Sequence, residues 1–196
     1  TPQRLREPGK IWKTAGLRLL FTILINPEIL NAPQRNIASQ SRVALGMIGS
    51  LLQEMEKEKY LIRINKKYIL ENREALLNRW IENFYANLRP KLIQGRFRFA
   101  TQKDRDMWRN KNINQVFWSG EPAGAILTNF LHPEKFTLYS EIPKTQVMRQ
   151  LHLVPDENGE VEMLNPFWNP EEIYNNFHQT VPPLLIYAEL NSSLDS

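Results

Sequence analysis

Residues 33–53 read Pro33-Gln34-Arg35-Asn36-Ile37-Ala38-Ser39-Gln40-Ser41-Arg42-Val43-Ala44-Leu45-Gly46-Met47-Ile48-Gly49-Ser50-Leu51-Leu52-Gln53. Pro33 is tolerated at a first helical position and opens a short helix through Ile37 and Ala38. Ser39-Gln40-Ser41 supplies a turn. From about Ala44 to Lys59 the spacing predicts a longer helix with Ile48, Leu51, Leu52 and Met55 on one face. Upstream, Leu17, Leu20, Phe21 and Leu24 recur at helical spacing from Thr14 until Asn26-Pro27 stops them. Downstream lie two β runs, Tyr60–Ile64 and Tyr68–Leu70, joined by a three-residue loop, Asn65-Lys66-Lys67. Three helices followed by a basic hairpin is the order of a winged helix-turn-helix.

The rest of the chain has a different pattern. Arg73 to Leu88 predicts a fourth helix with Leu76, Leu77, Trp80, Ile81 and Phe84 inward, limited by Pro90. It reads as a connecting helix, with membership of the second core as the alternative. Gly95 to Ala100 alternates as a strand with Phe97 and Phe99 inward and Arg96 and Arg98 outward. Gly120-Glu121-Pro122 marks a strand-to-helix junction. Leu151–Val154 and Glu160–Leu164 suggest a hairpin around Asp156–Gly159, and Pro182-Pro183 precedes an apolar strand, Leu184 to Ala188. The expected fold class is α+β: an arm over 1–13, a winged helix-turn-helix over 14–72, a connecting helix over 73–88 and a mixed α/β domain over 89–196.

Composition narrows the functions. The 196 residues are 42% hydrophobic and 23% charged, which argues against disordered and fibrous classes. Absence of cysteine excludes a disulfide framework, a Cys-type zinc finger and thiol catalysis. His132, His152 and His178 lack metal-site spacing, so neither cofactor nor metal is expected. Leu19–Ile25, the longest apolar run, is too short to span a bilayer, and no signal-peptide core is present. A cytoplasmic protein is the expectation. Charge is unevenly spread: residues 1–111 carry 22 Lys/Arg against 10 Asp/Glu, and residues 112–196 carry 3 against 11, a change from +12 to −8. A basic front half suits a polyanion such as nucleic acid; a bipolar surface without a specific ligand is the alternative.

In a helix-turn-helix the first turns of the recognition helix meet base edges in the major groove. The outward positions here are Leu45, Gly46, Gly49, Ser50 and Gln53, with Gln suited to adenine and Ser to bases or phosphate. Gln34 and Arg35 at the preceding helix, Arg42 in the turn, and Arg63, Lys66 and Lys67 in the hairpin are the candidate flanking contacts, mainly to phosphate. The neutral face equally suits a scaffold or dimerisation module. A second candidate nucleic-acid or partner surface is Arg89, Lys91, Arg96, Arg98 and Lys103, where Phe97, Phe99 and Trp108 either stack on bases or are buried beneath a basic strand. Glu121 could act as acid or base but lacks an evident partner. With no nucleophile elbow or metal cluster, an enzyme is not expected.

Several stretches together resemble the AbiEi-type antitoxins of type IV toxin–antitoxin systems, a phage-defence class, in their transcriptional-regulator branch. They are Leu30–Ala38, Leu76-Leu77-Asn78-Arg79-Trp80, Leu88-Arg89-Pro90-Lys91-Leu92 before Gly95-Arg96-Phe97-Arg98, Trp118–Ala123, Phe136-Thr137-Leu138-Tyr139 and Val181–Ala188. Departures are Gly124 where members tend to have Ala, Glu189 where they tend to have Asp, and an end at Ser196 that the resemblance implies is a truncated C-terminus, so that a fragment of a larger nuclease-related protein is a further alternative. The resemblance implies operator binding with autoregulation by the first domain. It also implies that the second domain counteracts a nucleotidyltransferase-like toxin, either by direct contact through its acidic side or indirectly.

Overall fold

The computed structural model describes residues 9–173 and 179–193; residues 1–8 of the expected arm and His178 lie outside them. Helix α1 (Thr14–Ile25) is buried around almost its whole circumference, from Gly16 and Leu17 through Leu19–Leu24. A helix apolar on all sides belongs at the centre of a core. Around it stand a 3₁₀ turn (Lys10–Trp12), α2 (Gln34–Ser41), α3 (Leu45–Lys57), the hairpin β1 (Leu61–Ile64) and β2 (Lys67–Leu70), and α4 (Arg73–Asn83). The Trp80 indole N–H donates to Leu17 O at 2.9 Å, and the Trp80 ring stacks on Phe21 and Phe84, with centroids 5.3 and 4.8 Å away.

Two expectations about this region change. The hairpin loop has two residues, not three: Asn65 and Lys66 both have positive φ, 49° and 65°, and Ile64 pairs directly with Lys67. Paired positive φ values match the right-handed twist of the flanking strands. Pro90 does not end the fourth helix. Pro lacks an N–H for the carbonyl four residues back and clashes with it. The chain accommodates this with a π-helical turn over Phe84–Leu88, in which the Arg89 N–H donates to Phe84 O, and then runs on as α5 (Arg89–Leu92).

The described residues fall into two compact units, divided between Lys91 and Leu92, with one exchange: Phe167–Ile173 belongs to the first unit. Phe167 lies 4.7 Å from Phe21 and 5.5 Å from Phe84, centroid to centroid. The Asn169 N–H donates to Gln40 O at 3.3 Å, and the Ser39 hydroxyl donates to Glu172. The buried face of α4 lies in this same unit, so the predicted connecting helix is part of the first core.

In the second unit the strands are β3 (Ile93–Phe99), β4 (Val116–Ser119), β5 (Phe136–Ser140), β6 (Leu153–Pro155) and β7 (Val161–Leu164). Among the described residues they form one sheet, ordered β4-β5-β7-β3-β6, with β5 and β7 parallel and the other pairs antiparallel. Helices α6 (Gln102–Asp106), α7 (Gly120–Thr128), α8 (Lys144–Leu151) and α9 (Pro183–Ser193) complete it. Phe97, Phe99, Trp108, Trp118, Phe136, Leu138 and Met163 share its core. The fold is α+β.

The expected β6–β7 hairpin is overturned, because β3 lies between the two strands and pairs with both. Gly159 in their connection lies against β3 so closely that a Cβ there would stand 2.0 Å from Phe97 O. The expected strand Leu184–Ala188 is instead inside α9. Pro183 sits at its start, the N–H groups of Leu185 and Ile186 donate to Pro182 O, and a short apolar run carries no period that separates buried strand from buried helix. His152, placed by sequence in a strand, is the left-handed residue that ends α8, with φ 55°.

The units also reassign charge. Residues 1–91 with 167–173 carry 16 Lys/Arg against 10 Asp/Glu, a net +6; the remainder carries 9 against 11, a net −2. The −8 read from the C-terminal residues alone omitted Arg96, Arg98, Arg109 and Lys111, which fold with them, and included Glu171 and Glu172, which fold with the first unit.

Candidate nucleic-acid interface

Helix α3 turns Ile48, Leu51, Leu52 and Met55 inward. At 100° per residue, Gly46, Ser50, Gln53 and Lys57 form the stripe opposite, and all but the far-end Lys57 are uncharged. Leu45 and Met47 flank the first turn and are 49% and 40% exposed. Gly46 has open space where a Cβ would stand. Gly49 has the Gln34 side-chain amide there, 3.7 Å from Nε2 and 3.9 Å from Oε1, so Gln34 of α2 reaches the exposed side of α3. The Ser50 hydroxyl donates to Met47 O at 3.0 Å, which uses its proton within the helix. Gln53 is exposed. The structure therefore brings Gln34, Gly46, Ser50 and Gln53 together.

The flanking cations differ in how they are held. Arg35, Lys66 and Lys67 are exposed, Lys66 at the turn of the hairpin. Asn31 holds that hairpin by its outer edge: its Nδ2 donates to Tyr68 O at 3.2 Å and its Oδ1 accepts from the Tyr68 N–H at 3.1 Å. Arg63 is engaged locally, hydrogen-bonded to the Tyr68 hydroxyl, 4.7 Å over the Tyr68 ring and 3.6 Å from Glu56. The Tyr68 hydrogen bond first, and Glu56 after it, hold its pKa above the usual arginine value. Arg42 ends α2 in the left-handed region, φ 54°, and its carbonyl accepts from Arg18 Nη1 at 3.4 Å. Burial, then the Arg42 charge, pull the Arg18 pKa below its ordinary value, and Arg18 Nε is buried without a hydrogen-bond partner. Arg18 sits on the central, apolar helix α1 and Met47 beside the outward stripe of α3, places that helical spacing alone does not single out.

The second candidate surface divides between the units. Arg89 lies over the Tyr85 ring at 5.6 Å and Lys91 Nζ donates to Thr14 Oγ1 at 3.1 Å, both in the first unit. In the second, Arg96 pairs with Glu162 at 3.2 Å, Arg98 with Asp156 at 3.6 Å, and Lys103 is exposed. Phe97, Phe99 and Trp108 are in the core. Base stacking on these rings is thereby ruled out in this fold, as the strict alternation of β3 allows.

Glu121 serves the structure. Its Oε2 accepts from the N–H groups of Glu134 and Lys135, at 2.7 and 3.1 Å, and ties the loop before β5 to α7. Gly124 gives α7 its approach to Leu131 and to Leu190 of α9. Glu189, 6% exposed, accepts from the Tyr139 hydroxyl at 2.7 Å. Among the described residues no group of His, Cys, Asp or Glu could hold a metal ion, and no helix is long and apolar enough to cross a membrane.

The family described as "Transcriptional regulator, AbiEi antitoxin, Type IV TA system" matches residues 69–196. The chain belongs to this family. The AbiEi match takes in α4 through α9, including the stretches Leu88–Leu92, Gly95–Arg98, Trp118–Ala123 and Val181–Ala188. It begins after α1, α2 and α3, so the α3 face rests on its own geometry rather than on the AbiEi assignment. No curated protein and no solved structure matches the chain.

Proposed function

We propose that the first unit is a winged helix-turn-helix that binds duplex DNA, with α3 as recognition helix and β1–β2 as wing, and that it represses the operon encoding it. The observation that carries this reading is the α3 surface: a stripe of Gly46, Ser50 and Gln53, spacious enough for close approach, in a unit of net +6 whose hairpin carries Lys66 and Lys67 exposed. Phosphate contacts by cations position a protein on duplex DNA, and neutral polar side chains at base edges select sequence. The regulator role of the AbiEi family supports it.

A gel-shift titration against the upstream region of the protein's own gene tests the proposal. Replacing Lys66 and Lys67 with Ala should weaken binding to every sequence and reduce the slope of log K against log salt by about 2, since each phosphate neutralised contributes roughly 0.9. Gln53→Ala should chiefly alter sequence preference. No binding at low salt would favour the scaffold reading instead.

For the second unit the proposal is antagonism of a nucleotidyltransferase-like toxin in the cytoplasm, in keeping with the type IV antitoxin family. A unit of net −2 gives little electrostatic steering toward a basic toxin surface, which favours indirect antagonism over a charge-driven complex. Co-expression of the full chain with the neighbouring gene, followed by purification, separates the two: rescue of growth without a co-purifying complex is the expected result.

A further inference from the structure

The chemistry of the α3 face is one-sided. Guanine is read in the major groove by Arg or Lys on O6 and N7, and cytosine by Asp or Glu on N4; adenine takes the amide of Gln or Asn on N6 and N7, and the thymine methyl takes an apolar side chain. The first turns of α3 present no cation or carboxylate outward. Lys57 stands at the far end, about 18 Å along the axis from Leu45 at 1.5 Å per residue. The Glu54 carboxylate lies against Gly9, where a Cβ would meet Oε1 at 1.9 Å. Beside the Ser50 hydroxyl, whose proton goes to Met47 O, what remains is two primary amides, Gln34 and Gln53, and two exposed apolar side chains, Leu45 and Met47. At Gly49 a Cβ would stand in ordinary van der Waals contact with the Gln34 amide, 3.7 Å from Nε2 and 3.9 Å from Oε1, which places that amide beside the exposed side of α3.

We propose that this face selects A·T base pairs through the major groove, with the Gln34 and Gln53 amides paired to adenine and Leu45 and Met47 packed on thymine methyl groups. The proposal rests on the duplex-binding reading and names the sequence class that the same site accepts. Its test keeps the protein intact and alters the DNA. Sites enriched from a random duplex pool should be A·T-rich at the contacted positions, and exchange of one such pair for G·C should cost about 5- to 150-fold in affinity. Replacing thymine by deoxyuridine, which removes the major-groove methyl alone, should cost about fourfold for each methyl in contact. That loss should disappear in a Leu45→Ser, Met47→Ser variant. An inosine·cytosine pair resembles A·T in the minor groove and G·C in the major groove, so it should bind as weakly as G·C.

Enrichment of G·C-rich sites, indifference to deoxyuridine, or rescue by inosine·cytosine would each overturn A·T readout by α3 while leaving duplex binding intact. Failure to bind any duplex at low salt would overturn the duplex-binding reading itself, and the base preference with it.

Discussion

Gly46 shows how a single position can weigh stability against contact. In a helix interior Gly is less favourable than Ala by about 1 kcal/mol, which is an upper bound for Gly46 as the second residue of α3, and the space for a Cβ is open. Gly46→Ala should therefore raise the stability of the first unit by up to about 1 kcal/mol in a denaturant titration and yet weaken DNA binding, because on the duplex-binding proposal the methyl group stands where the helix backbone approaches the groove. A variant that gains both stability and affinity would show that this surface does not approach DNA. At Asp104 the sensitive variable is pH. The Thr101 hydroxyl donates to Oδ2 at 2.6 Å, and His152 Nδ1 lies 2.7 Å from Oδ1. These bonds, Thr101 first, hold the carboxyl pKa below its ordinary 3.8. A depressed acid stabilises the fold above its unfolded pKa and ceases to do so as pH falls through the folded value. Thermal unfolding of wild type and Asp104→Asn should thus differ near neutral pH, and the difference should shrink below about pH 4.

At the level of elements, the informative part is the path around β3. Gly159 meets backbone atoms of Phe97 and Arg98 that cannot swing aside. Gly159→Ala should destabilise the second unit by about 3 kcal/mol, at the upper end of ordinary overpacking, as read by the denaturant midpoint. Local patterns told much of the fold. The helices α1 to α4, the β1–β2 hairpin, β3 and the Pro122 junction follow from period, proline and turn residues that act within a few positions. The β6–β7 error has a different origin. Two strands joined by a turn most often pair with each other, and the insertion of β3 between them depends on contacts some sixty residues away in sequence, of which Gly159 is the one local trace. The α9 error arose because Leu184–Ala188 is apolar throughout, and the Pro182-Pro183 pair before it was the better signal. For the proposed DNA face, the outward placement of Gln53 and Ser50 follows from helix geometry. The reach of Gln34 over Gly49 does not, because it depends on how α2 packs against α3.

On the scale of the whole molecule, sequence order and spatial membership part company at Phe167. This residue lies between β7 and α9, but its ring is buried against Phe21 and Phe84. Phe167→Ala should cost about 3–5 kcal/mol. Amide hydrogen exchange should quicken in α1 and α4, far earlier in the chain, while the β3–β7 ladder is the control that stays protected. Charge obeys the same lesson, since the sign contrast read along the sequence shrinks once β3, Arg109 and Lys111 are counted with the second unit and Glu171 and Glu172 with the first. There is also a consequence for synthesis. A ribosome that has finished α4 has not yet supplied Phe167 and Trp168, and the whole of 92–166 must be made first, roughly 4–15 s at about 5–20 residues per second. During that interval the N-terminal helices exist with part of their aromatic cluster missing. The first unit is therefore complete only once residues 167–173 have been translated, and the proposed DNA-binding surface that it carries is finished after the strands β3–β7 have all been synthesised.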